Sequence, residues 1–546
     1  MPEAQTKRSH PILGSVAVVS AMTAISRVLG LVREIAMGYL FGTSPLKSAF
    51  DMAFTTPNLF RRLFGEGALS NAFVPVFNDT LLTEGKDEAW RLTSRVLIAL
   101  TGLLSVITGL GILATYPLAR ILPEGSRWLL PLPMLRIMLP YALLICLAGT
   151  ISGVLNSLGK FAVSSLTPSI LNLFWLGALI PLILFPNLCG NSENQLLFLC
   201  FAILLAGLAQ ILFQLPTLHR QGFRFAFLGK GIFRDARIRR ILALMGPAAI
   251  GMGVIQINVC LDKLLAYWAD TAAPAALEYA ERITYLPLGM FATAFMTVLL
   301  PTFSRQASSG AFSEMRETLE RAIRQLGLIM TPCSLALLVL APAVIQAIYA
   351  FKGGRFDADS ITLSARALAA YAPGLLIFSL QKVFQPAFYG MQDVMTPLKV
   401  SLACLALNVT LNITSIILLP VGWKHCGIAG STVLTSLVNS ACLFILLRRK
   451  SCSPRLGRML PSLIKSLIGA SVMALAAWIA WRTGCRLAGE RMADKPVQLT
   501  VLGATVIVGI AVYACLMLII SRQDLLDAIQ DLKRSRKGKR AARSER

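Results

Sequence analysis

Seven ionisable side chains stand inside two apolar stretches, where burial in hydrocarbon would be costly. Arg27, Arg33, Glu34, Asp51, Arg61, Arg62 and Glu66 interrupt the runs SRVLGLVREIAMGYLFG and FDMAFTTPNLFRRLFGEGALSNAFVPVF between Ser26 and Phe77. Both runs are long enough to cross a bilayer, which takes about 20 residues. On insertion scales an arginine near mid-membrane costs roughly 2.5–3.5 kcal/mol, so such groups persist by facing a bundle interior or a wet cavity. Arg62 and Glu66 are placed to snorkel towards the interface, and Glu34 shares a helical face with Arg27 and compensates it in part. Arg27 and Arg61 lie too deep for snorkelling. An eighth ionisable residue, Arg282, follows Glu278 by one helical turn in a later apolar run, where the two either pair with each other or join the same cavity. Arginine suits a phosphate because its planar, permanently protonated fork makes two parallel charge-assisted hydrogen bonds. Few acids offset these cations, so the chemistry expected is binding of an anionic, phosphate-bearing ligand in a cavity.

The elements that must hold these groups are membrane helices. The chain has 546 residues, 55% hydrophobic and 14% charged, with a mean hydropathy of +0.67. Soluble domains carry about a quarter charged residues. Apolar runs recur from end to end without the alternating ten-residue strands of a barrel. The net charge of +25 would suggest nucleic acid in a soluble protein. Here the basic residues gather between spans, so no nucleic-acid partner is expected. Eleven scattered cysteines and three histidines match no metal or redox framework. No P-loop and no nucleophile–base pair appears, so no catalytic residue, metal or cofactor is assigned.

About fourteen spans are expected between residues 12 and 520, in an all-α polytopic membrane protein. The first, 12–40, follows Lys7 and Arg8 but lacks a cleavage site, so it reads as a retained span. Arg220, Arg224, Lys230, Arg234, Arg237, Arg239 and Arg240 after the sixth span, and Arg448, Arg449, Lys450, Arg455 and Arg458 after the twelfth, place those loops and both termini in the cytoplasm. The loop with Arg482, Arg486, Arg491 and Lys495 breaks this pattern. The basic tail, 523–546, either lies on an anionic inner leaflet or is solvated.

The spans repeat. Leu139-Pro140 parallels Ala372-Pro373, Thr167-Pro168 parallels Thr396-Pro397, and Val74-Pro75 near the end of the second span parallels Leu300-Pro301 in the eighth. The expected organisation is an N-lobe (1–225), a C-lobe (226–450), two further helices (451–522) and the tail, the lobes being pseudo-symmetric six-helix bundles around a central cavity. Asp262, Asn408 and Asn412 offer oxygen ligands for a coupling cation, or else hydrogen-bond between helices. No cofactor is expected beyond a coupling ion, Na+ or H+.

The run SRVLGLVREIAMGYLFG, the stretch PNLFRRLFGEGALSNAFVPVF, EYAERITYLPLGMF with LLPTFSR, and GMQDVMTPLK resemble the MurJ (MviN) lipid II flippases of the multidrug/oligosaccharidyl-lipid/polysaccharide exporter superfamily. The likeness covers nearly the whole chain. It implies fourteen helices, a cationic cavity between two lobes, a groove for a polyprenyl tail along the last two helices, and a bacterial inner-membrane location. The function implied is transfer of undecaprenyl-pyrophosphate-linked disaccharide-pentapeptide from the inner to the outer leaflet for peptidoglycan assembly, by alternating access and without enzymatic activity. It assigns Arg27, Arg33, Arg61 and Arg282 to the pyrophosphate and acidic headgroup. Many family members begin the second helix with Asp-Ala-Phe, whereas here Ser48-Ala49-Phe50 precedes Asp51. Asp51 either takes over that acid's gating role, near Arg33 and Glu34, or the role is absent; Arg62 and Glu66 are auxiliary candidates. Lipid II and membrane lipids are the expected partners, with other cell-wall synthesis proteins as further candidates, and the chain is expected to be a monomer. The alternatives are a flippase for another lipid-linked oligosaccharide, such as an O-antigen unit, and a drug/cation antiporter of the same superfamily. The arginines speak against the antiporter.

Overall fold

The computed structural model of the protein describes residues 12–65, 67–226, 235–450, 452 and 454–521. No strand occurs among them. The helices are α1 (Ile12–Phe41), α2 (Pro45–Phe60), α3 (Ala68–Thr83), α4 (Lys86–Ile121), α5 (Pro131–Ser157), α6 (Phe161–Leu184), α7 (Ser192–Arg220), α8 (Ala236–Ala269), α9 (Ala273–Pro287), α10 (Thr293–Ser308) and α11 (Phe312–Val339). They continue as α12 (Ala341–Tyr349), α13 (Ala358–Tyr371), α14 (Gly374–Gly390), α15 (Met395–Leu418), α16 (Lys424–Arg448), α17 (Leu456–Ala488) and α18 (Lys495–Ile520). Two π-helical turns, π1 (Arg61–Gly65) and π2 (Leu288–Ala292), interrupt the second span of each half.

Each expected span falls on a helix or a run of helices. Among the described residues ten are long and apolar enough to cross a membrane, or eleven if α13 and α14, bent by 45° at the Ala372-Pro373 break, form one span. The expected count of fourteen is therefore not reached by length and composition. The remaining three segments, α1, α2–π1–α3 and α8, all carry ionisable residues along their length. Large apolar side chains point outward, among them Leu110 and Leu113 on α4, Leu205 on α7 and Ile507 and Ile510 on α18. Ser94, Gln214, Asn408 and Ser466 are buried. Apolar outside and polar inside is the arrangement a bilayer selects. The protein is a multi-pass membrane protein.

Two compact units divide the chain, Met1–Tyr267 and Trp268–Arg546. In the first, α5 is the central helix, packed against α2, α4 and α7, while α6 packs on α1. Its apolar core reaches from Met37 and Phe41 to Ile203 and Leu218. Phe50 and Phe54 of α2 stand edge-on to Trp175 of α6, at 5.4 and 5.1 Å. Ser44 caps α2 by accepting from the Lys47 N–H, and Pro45 fits the first turn, where no N–H is needed. In the second unit α14 packs on α10, α11 and α16. There α17 and α18 dock on α11, with Ser466 donating to the Gly327 carbonyl at 3.1 Å and Tyr513 to that of Leu328 at 2.9 Å.

Candidate functional site

The second span breaks where the paired arginines sit. Pro57 removes one backbone donor from α2, and four residues later the helix widens into π1, which begins at Arg61. A π turn carries one residue more than an α turn and re-aims the side chains on either side of it. Side chains satisfy carbonyls at the break, Cys146 Sγ donating to Phe60 O at 3.3 Å and Ser70 Oγ to Gly65 O at 2.7 Å. The helix α5 approaches π1 backbone to backbone. A Cβ at Gly149 would lie 2.6 Å from the Gly65 carbonyl oxygen, so only glycine fits there.

Arg61 emerges from this turn half-buried, its Nε donating to Asn58 Oδ1 at 2.9 Å. It lines a cavity of about 660 Å³ inside the first unit, walled by π1, α3, α5, α6 and α7. Among the described residues Arg61 is the one charged residue on that wall; the rest is hydroxyls, amides, glycines and apolar groups such as Val74, Ile145 and Leu171. Arg62 turns elsewhere and donates to Gln256 Oε1 of α8 at 3.2 Å. Glu66 lies outside the described residues.

Around the turn between α1 and α2 the remaining charges are buried and paired. Arg33 is 7% exposed; its Nη2 meets Glu34 Oε1 at 2.6 Å, its Nη1 donates to Asn172 Oδ1 at 3.1 Å, and its guanidinium lies 4.1 Å above the Trp175 ring. Asn172 in turn donates to the Ser26 carbonyl at 3.1 Å, tying α6 to α1. Asp51 accepts from Lys47 Nζ at 2.6 Å on each carboxylate oxygen. Lys47 is 1% exposed. Sequence reasoning passed over Lys47; its signal was a lysine one helical turn before an intramembrane acid. Neutralisation in pairs lets these four charges stay buried, since breaking such a pair leaves an uncompensated ion.

Two candidate arginines sit apart from that nest. Arg27 is exposed on α1, six residues and most of two turns before buried Arg33, so the two point to different sides of the helix. Arg282, on α9 in the second unit, is half-buried with Nη2 3.7 Å from Glu278 Oε1, the internal pair that the spacing allowed. Of the oxygen ligands considered for a cation, Asp262 in the first unit accepts from Asn258 Nδ2 at 3.2 Å. In the second unit, Asn412 donates to Asn408 Oδ1 at 3.0 Å. No group of three or more His, Cys, Asp or Glu placed to hold a metal occurs among the described residues.

The basic residues at the start of α8 pair with acids on neighbouring elements. Arg237 bridges Glu84 at 2.7 Å and Glu88 at 3.3 Å, Arg240 meets Asp79 at 2.8 Å, and Asp235 binds both Arg237 and Arg95. Burial alone would raise the Asp235 carboxyl, but the bonds from Arg237 and Arg95 outweigh it and hold the group below its ordinary range. The start of α8 is thereby fastened to α3 and α4.

The fold is that of a known class of membrane carrier. It matches the inward-facing conformation of a multidrug resistance MATE family transporter of the MOP superfamily, with a TM-score of 0.66 at 15% identity over 80% of this chain and 98% of that one. A higher TM-score, 0.73, is reached with the lipid II flippase MurJ in its inward closed conformation, at 22% identity over 93% of this chain and all of that one. The sequence narrows the class further. The family model described as lipid II flippase MurJ matches residues 37–485. The probable lipid II flippase MurJ of Vibrio cholerae is 33% identical over 448 residues, 80% of this chain and 83% of that protein. The chain belongs to the MurJ family of lipid II flippases.

Proposed function

We propose that this protein transfers lipid II from the inner to the outer leaflet of the bacterial cytoplasmic membrane, acting as a transporter without catalytic chemistry. The observation that carries the reading is the placement of Arg61 at a π break, facing a cavity of mixed polar and apolar lining in a chain of this family. A guanidinium there is permanently charged and offers a diphosphate two parallel hydrogen bonds. Arg27 and Arg282 are assigned to the acidic headgroup on the family resemblance. Arg33 joins them by exchanging its bond to Glu34 for one to phosphate. Asp51 is held by Lys47, so the gating role considered for it is read as belonging to the Lys47–Asp51 pair.

The cycle follows from charge. With an inside-negative potential, moving a negative charge outward gains about 2.3 kcal/mol per charge per 100 mV. A cavity neutralised by the pyrophosphate on the way out is driven back as an empty cation. Alternating access of the two lobes, both termini in the cytoplasm, a monomeric state, contact with other cell-wall synthesis proteins and coupling to Na+ or H+ complete the proposal. The test is complementation of cells depleted of their own lipid II flippase. Rescue by the native chain and failure of Arg61→Ala at equal protein level is the expected result. Rescue by both would sink the Arg61 assignment, and rescue by neither would sink the function.

A further inference from the structure

The cavity beside Arg61 is larger than a diphosphate needs, and its chemistry is wrong for one. Pockets of about 300–1,000 Å³ hold ligands the size of a drug molecule, and this one measures about 660 Å³. Beyond Arg61 its wall presents hydroxyls and amides, among them Ser152, Asn156, Ser164, Ser165 and Gln210. Such groups both donate and accept, as does a sugar bearing hydroxyls and N-acetyl amides. Among the described residues an anion would find a single cation here and many groups of no net charge.

The wall is also built, and incompletely satisfied. Gln210 is 1% exposed; its Nε2 donates to the Thr167 carbonyl at 2.9 Å, while its Oε1 is buried with no hydrogen-bond partner. A buried carbonyl oxygen without a donor is costly, which points to a donor that arrives with a ligand. Ser164 is held against Asn156, and Ser152 donates to Gln214 at 2.9 Å, so the lining is set by contacts between α5, α6 and α7. Gly153, opposite Val74 and Ser70, keeps the wall between α5 and α3 thin.

From these observations we infer that the cavity inside the first unit is a saccharide subsite, which takes the neutral, amide-bearing sugar of the lipid-linked substrate while Arg61 at its edge holds the adjoining phosphate. The inference rests on the flippase reading and names which part of the substrate lies where. Gln210 Oε1 accepts from a sugar hydroxyl or amide N–H, and Arg61 spans the junction between sugar and phosphate.

Equilibrium binding to the purified full-length protein in detergent separates the two claims. The probes are undecaprenyl diphosphate and the same lipid carrying the disaccharide-pentapeptide. Ser165→Phe, which intrudes on the cavity, is expected to weaken binding of the saccharide-bearing lipid by about tenfold, a loss of the order of one good contact set. The bare diphosphate lipid should bind as before. Gln210→Leu keeps the volume, removes the acceptor and should weaken the same lipid selectively. Arg61→Ala should weaken both lipids. Equal losses for the two lipids, or no loss, in both Ser165→Phe and Gln210→Leu would overturn the saccharide subsite. Unchanged binding of both lipids by Arg61→Ala would instead overturn the phosphate assignment.

Discussion

The second span of each half is broken in the same way and used differently. In the first unit α2 gives way to π1 and then α3; in the second, α9 gives way to π2 and then α10. A proline precedes each π turn, Pro57 by four residues and Pro287 by one, and another lies inside each following helix, Pro75 and Pro301. A glycine of a neighbouring helix abuts each broken span. Gly149 faces the Gly65 backbone, and a Cβ at Gly390 would fall 2.9 Å from the Phe303 carbonyl carbon. The residues of the turns part company. RRLFG carries two arginines, and Arg61 faces a cavity; LGMFA carries no charge, with Met290 and Phe291 exposed. Arg282 lies six residues before π2, on regular helix beside Glu278. The backbone device is duplicated, and the paired arginines belong to the first turn alone.

The largest effect that bears on this contrast is the charge itself. Arg61→Ala should abolish flipping in reconstituted vesicles, and Arg61→Lys should restore only part of it, because a point charge replaces the bidentate fork. Met290→Ala, at the apolar turn, should leave transport within a few-fold of native. Equal sensitivity at the two turns would end the contrast. The next test alters geometry and leaves charge alone. Deleting Leu63 removes the extra residue of π1 and rotates what precedes it relative to α3 by about 100°. Arg61 then leaves the cavity, and transport should fall nearly as far as in Arg61→Ala. Deleting Gly289 from π2 rotates an uncharged turn and should cost much less activity at equal protein level.

Several of these features were visible in the residues. The proline matches suggested a repeat, and charges amid apolar runs marked Arg61 and Arg33, because a misplaced charge is conspicuous in a membrane sequence. The π turns had no such mark: RRLFG and LGMFA share only an aliphatic residue, a phenylalanine and a small residue at their last three positions, which is too common a pattern to stand out, and one extra residue per turn leaves hydrophobic periodicity almost unchanged. Nor did the sequence separate Arg33, locked against Glu34, Asn172 and Trp175, from Arg61 at its cavity. That difference depends on a partner on α6, more than a hundred residues away. The cavity wall was hidden for the same reason, since scattered serines and Gln210 look like ordinary interhelical polar residues until α5, α6 and α7 bring them together.

Packing of the glycines gives a smaller effect and tests whether the backbone device is truly shared. Gly149→Ala puts a methyl group 2.6 Å from the Gly65 oxygen, and Gly390→Ala puts one 2.8 Å from Phe303 Cβ. Overpacking of this kind costs about 1–3 kcal/mol, so both variants should lower the thermal midpoint by similar amounts. Gly149→Ala should in addition slow transport, because it displaces the turn that aims Arg61. Matching losses of both stability and transport in the two variants would mean that the turns are equivalent after all.

The smallest expected effect lies at the turn between α14 and α15, where Asp393 meets Lys450 and accepts from Thr396 N at 2.9 Å and Oγ1 at 2.6 Å. Burial alone would raise this carboxyl, but Lys450 and Thr396 outweigh it and bring it from 3.8 down to about 2. A depressed acid adds stability above its ordinary range, and that contribution disappears as pH falls from about 4 to about 2. The Lys450 side chain is 38% exposed, so solvent screening keeps the contribution within about 1 kcal/mol. Asp393→Asn should therefore lower the thermal midpoint slightly at neutral pH and match the native chain near pH 2. The network of Asp235 with Arg95 and Arg237 in the first unit follows the same sign, because its carboxyl is also held low. A midpoint difference between Asp393→Asn and the native chain that grows as pH falls would reverse the assignment of Asp393 as the ionised partner.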